Sequence, residues 1–391
     1  MKHCFELPEG MIYLDGNSLG PLPKGVAETV AAMIIEQWGA NLIKGWNVDG
    51  WMAQPSRVGD MIGRLIGAPQ GSVMTGDTLS LKVYQALSAA LQMRSDRKVV
   101  LSDSGNFPTD LYMAEGLIRH LNHGHELRVV APEEVADAID DSVAAVLITQ
   151  VDYRTGRVHD MDAITAKAHG AGAVMIWDLA HSAGAIPVDI DGSNAEFAVG
   201  CTYKYLNGGP GAPAFIYVRS DIVDDIDPAL SGWLGHEAPF AFDRDYRPGA
   251  GVERMRIGTP PVIQLAALEQ AMKLWDQVDM DDLRAASIRL SELFIAEVEK
   301  TCPDLTLASP RDPAQRGSQV SFHFENGYAA MQALIARGVI GDFRAPDIMR
   351  FGFTPLYLDE GDVTGAAAIL AEIMRDRLWD TPQYLARQRV T

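Results

Sequence analysis

The 391-residue sequence has few cysteines, no excess of positive charge and no long apolar run. Its three cysteines, Cys4, Cys201 and Cys302, lie far apart without C-x-x-C spacing, which argues against a disulfide framework and a structural zinc site. The 33 Lys and Arg against 52 Asp and Glu give a net charge of −19, so nucleic acid and membrane surfaces are not expected partners. No segment has membrane-spanning length or an apolar signal core, which favours a cytoplasmic protein.

What the sequence does contain is an ordinary globular composition, with 47% hydrophobic and 22% charged residues. The length predicts two domains, or one domain with a sizeable appendage. Strand-like and helix-like runs alternate in the middle of the chain, which predicts an α/β fold with a mostly parallel sheet covered by helices. The strand candidates are 72–75, 98–102, 127–131, 143–151, 173–178, 197–202 and 214–218.

The two ends of the chain have a different pattern. Before the alternation, Pro23 predicts the start of a helix that runs to about Trp38. After it, the helical pattern from Val262 to about Lys300 predicts one long helix. Further along, we expect a half-exposed strand and two more helices, at 318–324, 328–337 and 362–375.

This organisation predicts three parts. Residues 51–260 form a large α/β domain, and residues 261–391 form the long connecting helix and a smaller α+β domain. Residues 1–50 form an N-terminal segment that packs with the small domain or with a partner subunit.

Asp178 and Lys204 are the first candidates for chemistry. Asp178 ends one strand candidate, and Lys204 follows the next one. Ligands of open α/β sheets lie beyond the carboxyl ends of the strands, so the acid and the amine can face one pocket. An Asp for a pyridinium nitrogen and a Lys for a Schiff base are what pyridoxal phosphate requires. The alternative is a helix cap and a solvated lysine.

Two further stretches follow strand candidates and open predicted helices. Leu79 and Ser80 are compatible with a phosphate site at a helix N-terminus, although a plain N-cap is the more common meaning of such a stretch. Phe107 can stack on a flat heteroaromatic ring, and Asp110 can accept a hydrogen bond from the same ligand. The alternative is a core phenylalanine and a first-turn acid stabilised by the helix dipole.

Other residues are ambiguous in the same way. Trp51 is expected to anchor its loop in the core, whereas Trp46 can serve either the core or a ligand. Trp233 and His236 lie in a glycine-rich loop that can pack at an interface or face a substrate. Arg350 lies in an apolar stretch and needs an anionic partner, either a substrate carboxylate or a structural acid.

Two ligand classes are disfavoured. His120 and His123 can share a helical face, but cationic histidine is favourable at a helix C-terminus without a metal, and we predict no metal. The glycine-rich loop at 205–211 lacks the G-x-G-x-x-G pattern, so a dinucleotide site is not expected.

Taken together, these stretches resemble the kynureninase family, whose members are pyridoxal-phosphate enzymes of fold type I, the aspartate-aminotransferase fold type. The resemblance covers nearly the whole chain, and the order of its motifs is more specific than any single one. The matching stretches are 13–20, 106–110, 178–181, 203–207, 232–236, 260–261 and Arg350 with its flanks.

The resemblance implies a role for each candidate. Lys204 would hold pyridoxal 5′-phosphate covalently, Asp178 would pair with its ring nitrogen, and Phe107 would stack on the ring. The other implied cofactor contacts are Leu79, Ser80, Asp110, His181, Tyr203, Trp233 and Thr259. Arg350 would bind the substrate carboxylate, and the residues implied around the aryl group are Trp46, Trp233, His236 and Thr259.

The implied reaction is hydrolysis of L-kynurenine to anthranilate and L-alanine by Cβ–Cγ cleavage, within tryptophan catabolism, the kynurenine pathway and NAD biosynthesis. We further hypothesise that Tyr203 relays a proton. Thr259 stands where relatives can carry an amide, and Ser80 where they can carry Thr, so 3-hydroxykynurenine is also a candidate substrate. The family implies a homodimer with sites at the subunit interface.

Two rival interpretations remain. Another fold type I enzyme, such as a cysteine desulfurase or a class V aminotransferase, is the nearer one, but a desulfurase needs a mobile nucleophilic cysteine and Cys302 resembles a helix-end residue. A ligand-binding or scaffolding protein on a retained fold is the other. Such a protein need not keep Lys204, Asp178, Phe107 and Arg350 together.

Overall fold

A computed structural model describes residues 1–387 of the chain. The strands, in chain order, are β1 (Phe5–Glu6), β2 (Ile12–Tyr13), β3 (Leu22–Pro23), β4 (Val73–Thr75), β5 (Val99–Asp103), β6 (Glu126–Val130), β7 (Val143–Thr149), β8 (Val174–Asp178), β9 (Phe197–Gly200), β10 (Phe215–Val218), β11 (Thr306–Leu307), β12 (Gln319–His323), β13 (Val339–Ile340), β14 (Asp342–Arg344) and β15 (Ile348–Gly352).

Helices connect and cover these strands. The α-helices are α1 (Val26–Ala32), α2 (Gly39–Asn41), α3 (Gly45–Val48), α4 (Gln54–Leu65), α5 (Leu79–Met93), α6 (Pro108–Leu121), α7 (Val135–Ala138), α8 (Met161–Ala171), α9 (Val262–Met272), α10 (Met280–Thr301), α11 (Gly327–Ile335), α12 (Glu360–Arg375) and α13 (Pro382–Leu385). Among residues 1–387, no helix has both the length and the apolar character needed to cross a membrane.

A large sheet with strand order β4-β10-β9-β8-β7-β5-β6 forms the centre of the fold. Its strands run parallel except β10, which is antiparallel to both of its neighbours. Alternate residues of β8 enter two different cores: Met175 and Trp177 pack on one face, and Val174 and Ile176 on the other. The predicted mostly parallel sheet, covered on both faces, is confirmed, as are its seven strands.

The topology brings several strand ends to one edge of this sheet. β5, β7, β8 and β9 run in the same direction, and β4 shares it because both β4 and β9 are antiparallel to β10. The segments that follow these strands therefore meet beyond a single edge. They carry Asp178, Lys204, Phe107 and the N-terminus of α5.

A second, antiparallel sheet has the order β11-β12-β15-β14, and α10, α11 and α12 pack with it. Phe294 of α10 contacts Phe322, Phe351 and Phe353, with ring centroids 4.9 to 6.2 Å apart. The smaller α+β unit predicted for the C-terminal part is thus present.

The prediction of a half-exposed strand at 318–324 is wrong, because β12 is buried except at His323. Val320 and Phe322 face the apolar core. The polar residues on the other face are covered by the loop after β7: the Gln319 amide donates to Tyr153 O at 3.0 Å, and Ser321 Oγ donates to Arg154 O at 2.6 Å. The polar residues that alternate along β12 therefore contact the loop after β7 of the large sheet rather than solvent.

The predicted long helix from Val262 to Lys300 is also wrong, because the chain breaks between α9 and α10. Residues Lys273–Gln277 form a 3₁₀ turn. Asp279 then caps α10, and its side chain accepts hydrogen bonds from the backbone N–H groups of Asp281 and Asp282. An N-cap followed by first-turn acids starts a new helix here.

The N-terminal segment contacts both of the larger units, since Leu14 O accepts from Gly352 N of β15 and Gly20 N donates to Tyr203 O after β9. β1 pairs with β3, β2 pairs in parallel with β13, and α1 packs against α9. Pro23 ends β3 and does not open a helix; α1 begins at Val26 after Gly25, whose φ is 83°. Residues Met33–Trp38 continue α1 as a π-helix. The expected boundaries at residues 50 and 260 stay predictions.

Candidate active site

Lys204 lies in the loop that follows β9, with its Nζ 3.3 Å from His181 Nε2 and 5.9 Å from the centroid of the Phe107 ring. The N-terminal segment closes over the lysine backbone, since Gly20 N donates to Tyr203 O at 2.8 Å. A Cβ on Gly20 would lie 2.3 Å from Lys204 O, so only glycine fits there. The amine thus lies at the sheet edge, between a histidine and an exposed aromatic face.

Asp178 and Asp110 form a buried carboxyl pair beside the lysine, each 1% exposed. Burial raises the pKa of Asp178 to about 6, while Lys204 and the Ala180 N–H, which donates to Asp178 Oδ1 at 2.8 Å, oppose that rise. The pKa of Asp110 lies well above its ordinary value, first because of burial and then because of the adjacent Asp178 charge. Asp110 is therefore the protonated partner, and it donates to an ionised Asp178.

His181 is neutral in this site. Burial lowers its pKa well below the ordinary value, and the positive charges of Lys204 and Arg350 lower it further. A neutral imidazole 3.3 Å from Lys204 Nζ can accept a hydrogen bond from the amine.

Tyr203 keeps its hydroxyl proton. Burial raises its pKa, and its hydroxyl lies within hydrogen-bonding reach of the Cys201 thiol. The Tyr203 ring centroid is 5.8 Å from Lys204 Nζ. A protonated phenol beside the amine can donate a proton to a bound ligand.

The N-terminus of α5 has backbone N–H groups for an anion. Its N-cap, Thr78, makes no side-chain capping hydrogen bond, and Leu79 and Ser80 form the first turn. Lys82, which is 1% exposed, adds a cation one turn further on and lies 3.2 Å from Asp77 Oδ2. Such a helix end stabilises a phosphate.

The residues at this edge fit pyridoxal phosphate. The Phe107 side chain is 40% exposed, so it can accept a flat ring. An ionised Asp178 suits a protonated ring nitrogen, and the first turn of α5 suits a phosphate.

Arg350 is buried at 1% exposure and is held by residues from three parts of the chain. Its Nε donates to Asp342 Oδ1 at 2.7 Å, and its Nη2 donates to Asp342 Oδ2 and, at 2.8 Å, to Ser18 Oγ. Its Nη1 donates to the carbonyl of Tyr153. The structural ion pair considered for this arginine is thus present, and the contacts within residues 1–387 leave one of its five N–H groups for a ligand.

The surroundings of Arg350 carry net positive charge at neutral pH and below. Arg344 lies 2.7 Å from Asp342 Oδ2, so two guanidinium groups share one carboxylate. Although burial opposes it, the pKa of Asp342 is lowered by Arg350. Burial, together with the Asp342 charge, raises the pKa of Asp15 to about 7. This balance favours a second, bound carboxylate.

None of the four residues assigned to the aryl group has a contact with Lys204 among the described residues. Trp46 packs edge-on against Trp51, whose 7% exposure confirms its role as a core anchor. Trp233 packs on Phe240 at 5.9 Å and is 43% exposed. His236 Nδ1 accepts a hydrogen bond from the Ala238 N–H, and Thr259 is exposed. Their place in a substrate site stays a prediction.

Sequence reasoning gave no role to several residues that lie at the site. Asn17 and Ser18 belong to a motif that reads as a turn, and Asp342 to a short apolar stretch. Thr149 pairs in register with Asp178, and Tyr153 packs edge-on against Phe107 at 5.2 Å. The available signal was their position at the carboxyl end of β7, which Thr149 ends and which Tyr153 follows.

The histidine-rich stretch lies away from this edge, at the end of α6. In the part of the chain that the structure describes, no three His, Cys, Asp or Glu residues are grouped to hold a metal ion. α6 ends at Leu121 with Asn122 in the left-handed conformation as its C-cap, two residues before Gly124.

The raised pKa of Asp15 predicts a specific pH dependence. Between about pH 4 and 7, folded Asp15 holds a proton that the unfolded chain has lost, so its contribution to stability is lost as the pH rises through 7. The substitution Asp15→Asn should therefore flatten the fall in unfolding temperature between about pH 4 and 7. Calorimetry measures the unfolding temperature at each pH, with Asp141→Asn, at an exposed position, as the control. Parallel plots of unfolding temperature against pH for the wild type and Asp15→Asn would contradict the raised pKa of Asp15.

Comparison with known proteins bears on this site. The family model described as the kynureninase C-terminal domain matches residues 283–370. The kynureninase of Pseudomonas fluorescens is 48% identical over 398 aligned positions, covering 100% of this chain and 96% of that protein. The kynureninase of Burkholderia pseudomallei (strain 1106a) is 47% identical with the same coverage.

Solved structures show the same fold. A mutant of C-DES with glycine covalently linked to its PLP cofactor superposes with a TM-score of 0.82 at 17% identity, covering 95% of this chain and 99% of that one. The cysteine desulfurase of Thermococcus onnurineus NA1 gives 0.81 at 17% identity, covering 96% and 97%. The fold type I prediction is therefore confirmed, and the full-length identity to curated relatives shows that the chain belongs to the kynureninase family.

Proposed function

We propose that this protein is a pyridoxal-phosphate-dependent hydrolase that converts L-kynurenine to anthranilate and L-alanine. The observation that carries the proposal is the convergence of Lys204, Asp178 and Phe107 at one sheet edge, in a chain 48% identical to a kynureninase along its whole length. A cytoplasmic role in tryptophan catabolism accords with this reaction.

The residues that would hold the cofactor divide the work among them. Lys204 would bind it covalently, Asp178 would keep its ring nitrogen protonated, and Phe107 would cover one ring face. The first turn of α5, at Leu79 and Ser80, would bind its phosphate. When bound, pyridoxal phosphate supplies an electron sink for the bonds at Cα and Cβ of an amino acid.

The protein's own groups then move protons and position the substrate. Lys204 Nζ would remove the proton from the substrate Cα, and neutral His181 can accept a hydrogen bond from that amine. Arg350, with one N–H uncommitted, would bind the substrate carboxylate. Tyr203, which keeps its proton, would donate to Cβ or to the hydrated side-chain carbonyl.

Neither of the two buried cysteines supports the desulfurase alternative. That chemistry needs an accessible nucleophilic thiol, whereas Cys302 is 0% exposed at the C-cap of α10 and Cys201 is 3% exposed. Burial also raises the pKa of both thiols, which disfavours the reactive thiolate.

The direct test is incubation of the cofactor-loaded protein with L-kynurenine, read by anthranilate fluorescence. We expect product from the wild type and none above background from Lys204→Ala, because that variant lacks both the covalent link and the base. A wild-type protein that is yellow, saturated with cofactor and inactive on L-kynurenine would overturn the proposal. Running 3-hydroxykynurenine in parallel decides between the two substrates.

Tyr203 is tested separately from the lysine. Tyr203→Phe keeps the ring and removes the proton, so we expect turnover to fall by roughly 10²- to 10⁴-fold, as for other general acids. The yellow colour and its loss on borohydride reduction should persist, because Lys204 is unchanged. Turnover equal to that of the wild type would remove Tyr203 from proton transfer.

We also propose that the protein is a homodimer. Residues 34–48 expose large apolar side chains, which is costly on a monomer: Ile35 (69%), Trp38 (53%), Leu42 (61%), Ile43 (78%) and Val48 (65%). The loop after residue 231 also exposes large apolar side chains, those of Trp233, Phe240 and Phe242. A second copy that covers these surfaces would bring Trp46, Trp233, His236 and Thr259 near a partner's lysine.

Light scattering during size-exclusion chromatography tests the dimer. We expect about twice the 42.5 kDa of one chain for the wild type, and a shift toward monomer with reduced activity for Ile43→Glu. Val129→Glu, on β6 and 44% exposed, is the control outside the patch and should remain dimeric. A wild type that elutes as a monomer at micromolar concentration would contradict the proposal.

A further inference from the structure

Asn17 is a fully buried amide without a partner. Its side chain is 0% exposed, and in the part of the chain that the structure describes neither its Oδ1 nor its Nδ2 makes a hydrogen bond. Burying an amide without hydrogen bonds is costly, and nearly all such groups in folded proteins are satisfied. Asn17 therefore calls for a partner outside the protein chain.

The position of Asn17 identifies where that partner lies. On one side, its neighbour Ser18 accepts a hydrogen bond from Arg350 Nη2 at 2.8 Å. On the other side, the Asn17 backbone hydrogen-bonds with His181, whose Nε2 lies 3.3 Å from Lys204 Nζ. The amide thus lies between the arginine of the small sheet and the lysine of the large one.

The packing around Asn17 places its amide oxygen but gives its amide nitrogen no acceptor among the described residues. A Cβ on Gly352 would lie 2.2 Å from Asn17 Oδ1, so the amide oxygen packs against the Cα of that glycine. Gly352 and Arg350 are two residues apart and share one face of β15. Asn17 Nδ2 is the donor that remains.

We infer that Asn17 Nδ2 donates a hydrogen bond to the α-carboxylate of the amino-acid substrate, beside Arg350. Among residues 1–387, Arg350 keeps only one uncommitted N–H, since Asp342, Ser18 and the Tyr153 carbonyl accept from the others. A carboxylate has two oxygens, and a second donor is needed for the one that Arg350 does not reach. The inference rests on the proposed function only in taking the substrate to be an α-amino acid.

Ligand binding separates this role from a structural one. In the cofactor-loaded protein, we follow the change in cofactor absorption on titration with L-alanine, which has the carboxylate, and with kynuramine, the amine left when kynurenine loses its carboxyl group. Asn17→Ala should weaken the binding of L-alanine by about tenfold to a hundredfold, as expected for a lost charge-assisted hydrogen bond. Its affinity for kynuramine should stay within about twofold of the wild-type value.

A second variant and a stability measurement guard against misfolding. Asn17→Asp keeps the size of the side chain but replaces the donor by an acid. It should therefore weaken the binding of L-alanine at least as much as Asn17→Ala does, and leave the binding of kynuramine unchanged. The ligand-free Asn17→Ala protein should unfold within a few degrees of the wild type, because no protein hydrogen bond is lost. If the substitutions weaken the binding of both ligands equally, Asn17 has a structural role and the inference is overturned.

The outcome is independent of the activity assay. A wild type that binds L-alanine but forms no anthranilate would contradict the proposed function and leave the Asn17 inference standing. Conversely, anthranilate formation together with equal L-alanine affinities for the wild type and Asn17→Ala would contradict the inference alone.

Discussion

The buried ion pair of Arg350 and Asp342 is the interaction on which the site depends. It joins β15 to β14, and through the same guanidinium it holds Ser18 of the N-terminal segment and the carbonyl of Tyr153 after β7. Breaking such a pair from one side leaves an uncompensated buried charge, which costs about 3–5 kcal/mol. The pair therefore sets how the small sheet, the N-terminus and the large sheet meet around the lysine.

Charge is distributed unevenly across the pocket, in a way that suits an amino-acid substrate. Near Lys204, burial keeps Asp110 protonated and His181 neutral, so Asp178 carries the only negative charge of these three groups. Near Arg350, two guanidinium groups face one firmly ionised carboxylate. The negative charge near Lys204 thus suits a protonated ring nitrogen, and the excess positive charge near Arg350 suits an anion.

Local pattern predicted the large sheet because six of its seven strands are mostly apolar runs buried on both faces, the exception being the exposed edge strand β6. It failed at the break between α9 and α10, where one capping residue, Asp279, outweighs a continuous helical pattern. It also left Arg350 undecided, since an ion pair and a ligand site demand the same residue. Local sequence pattern could not predict a role for Asn17, because a buried amide without a hydrogen-bond partner is recognised only when all of its neighbours in the fold are known.

Chemistry and substrate choice have different structural origins in this chain. Lys204, Asp178 and Phe107 are placed by the ends of strands in one sheet, so one chain suffices to assemble them. Trp233 and Thr259 lie in loops that are exposed in the isolated chain, and their positions depend on what covers those loops. Substitutions in the loops can therefore alter preference for the aryl group without disturbing the lysine, whereas changes at the sheet edge affect every substrate alike.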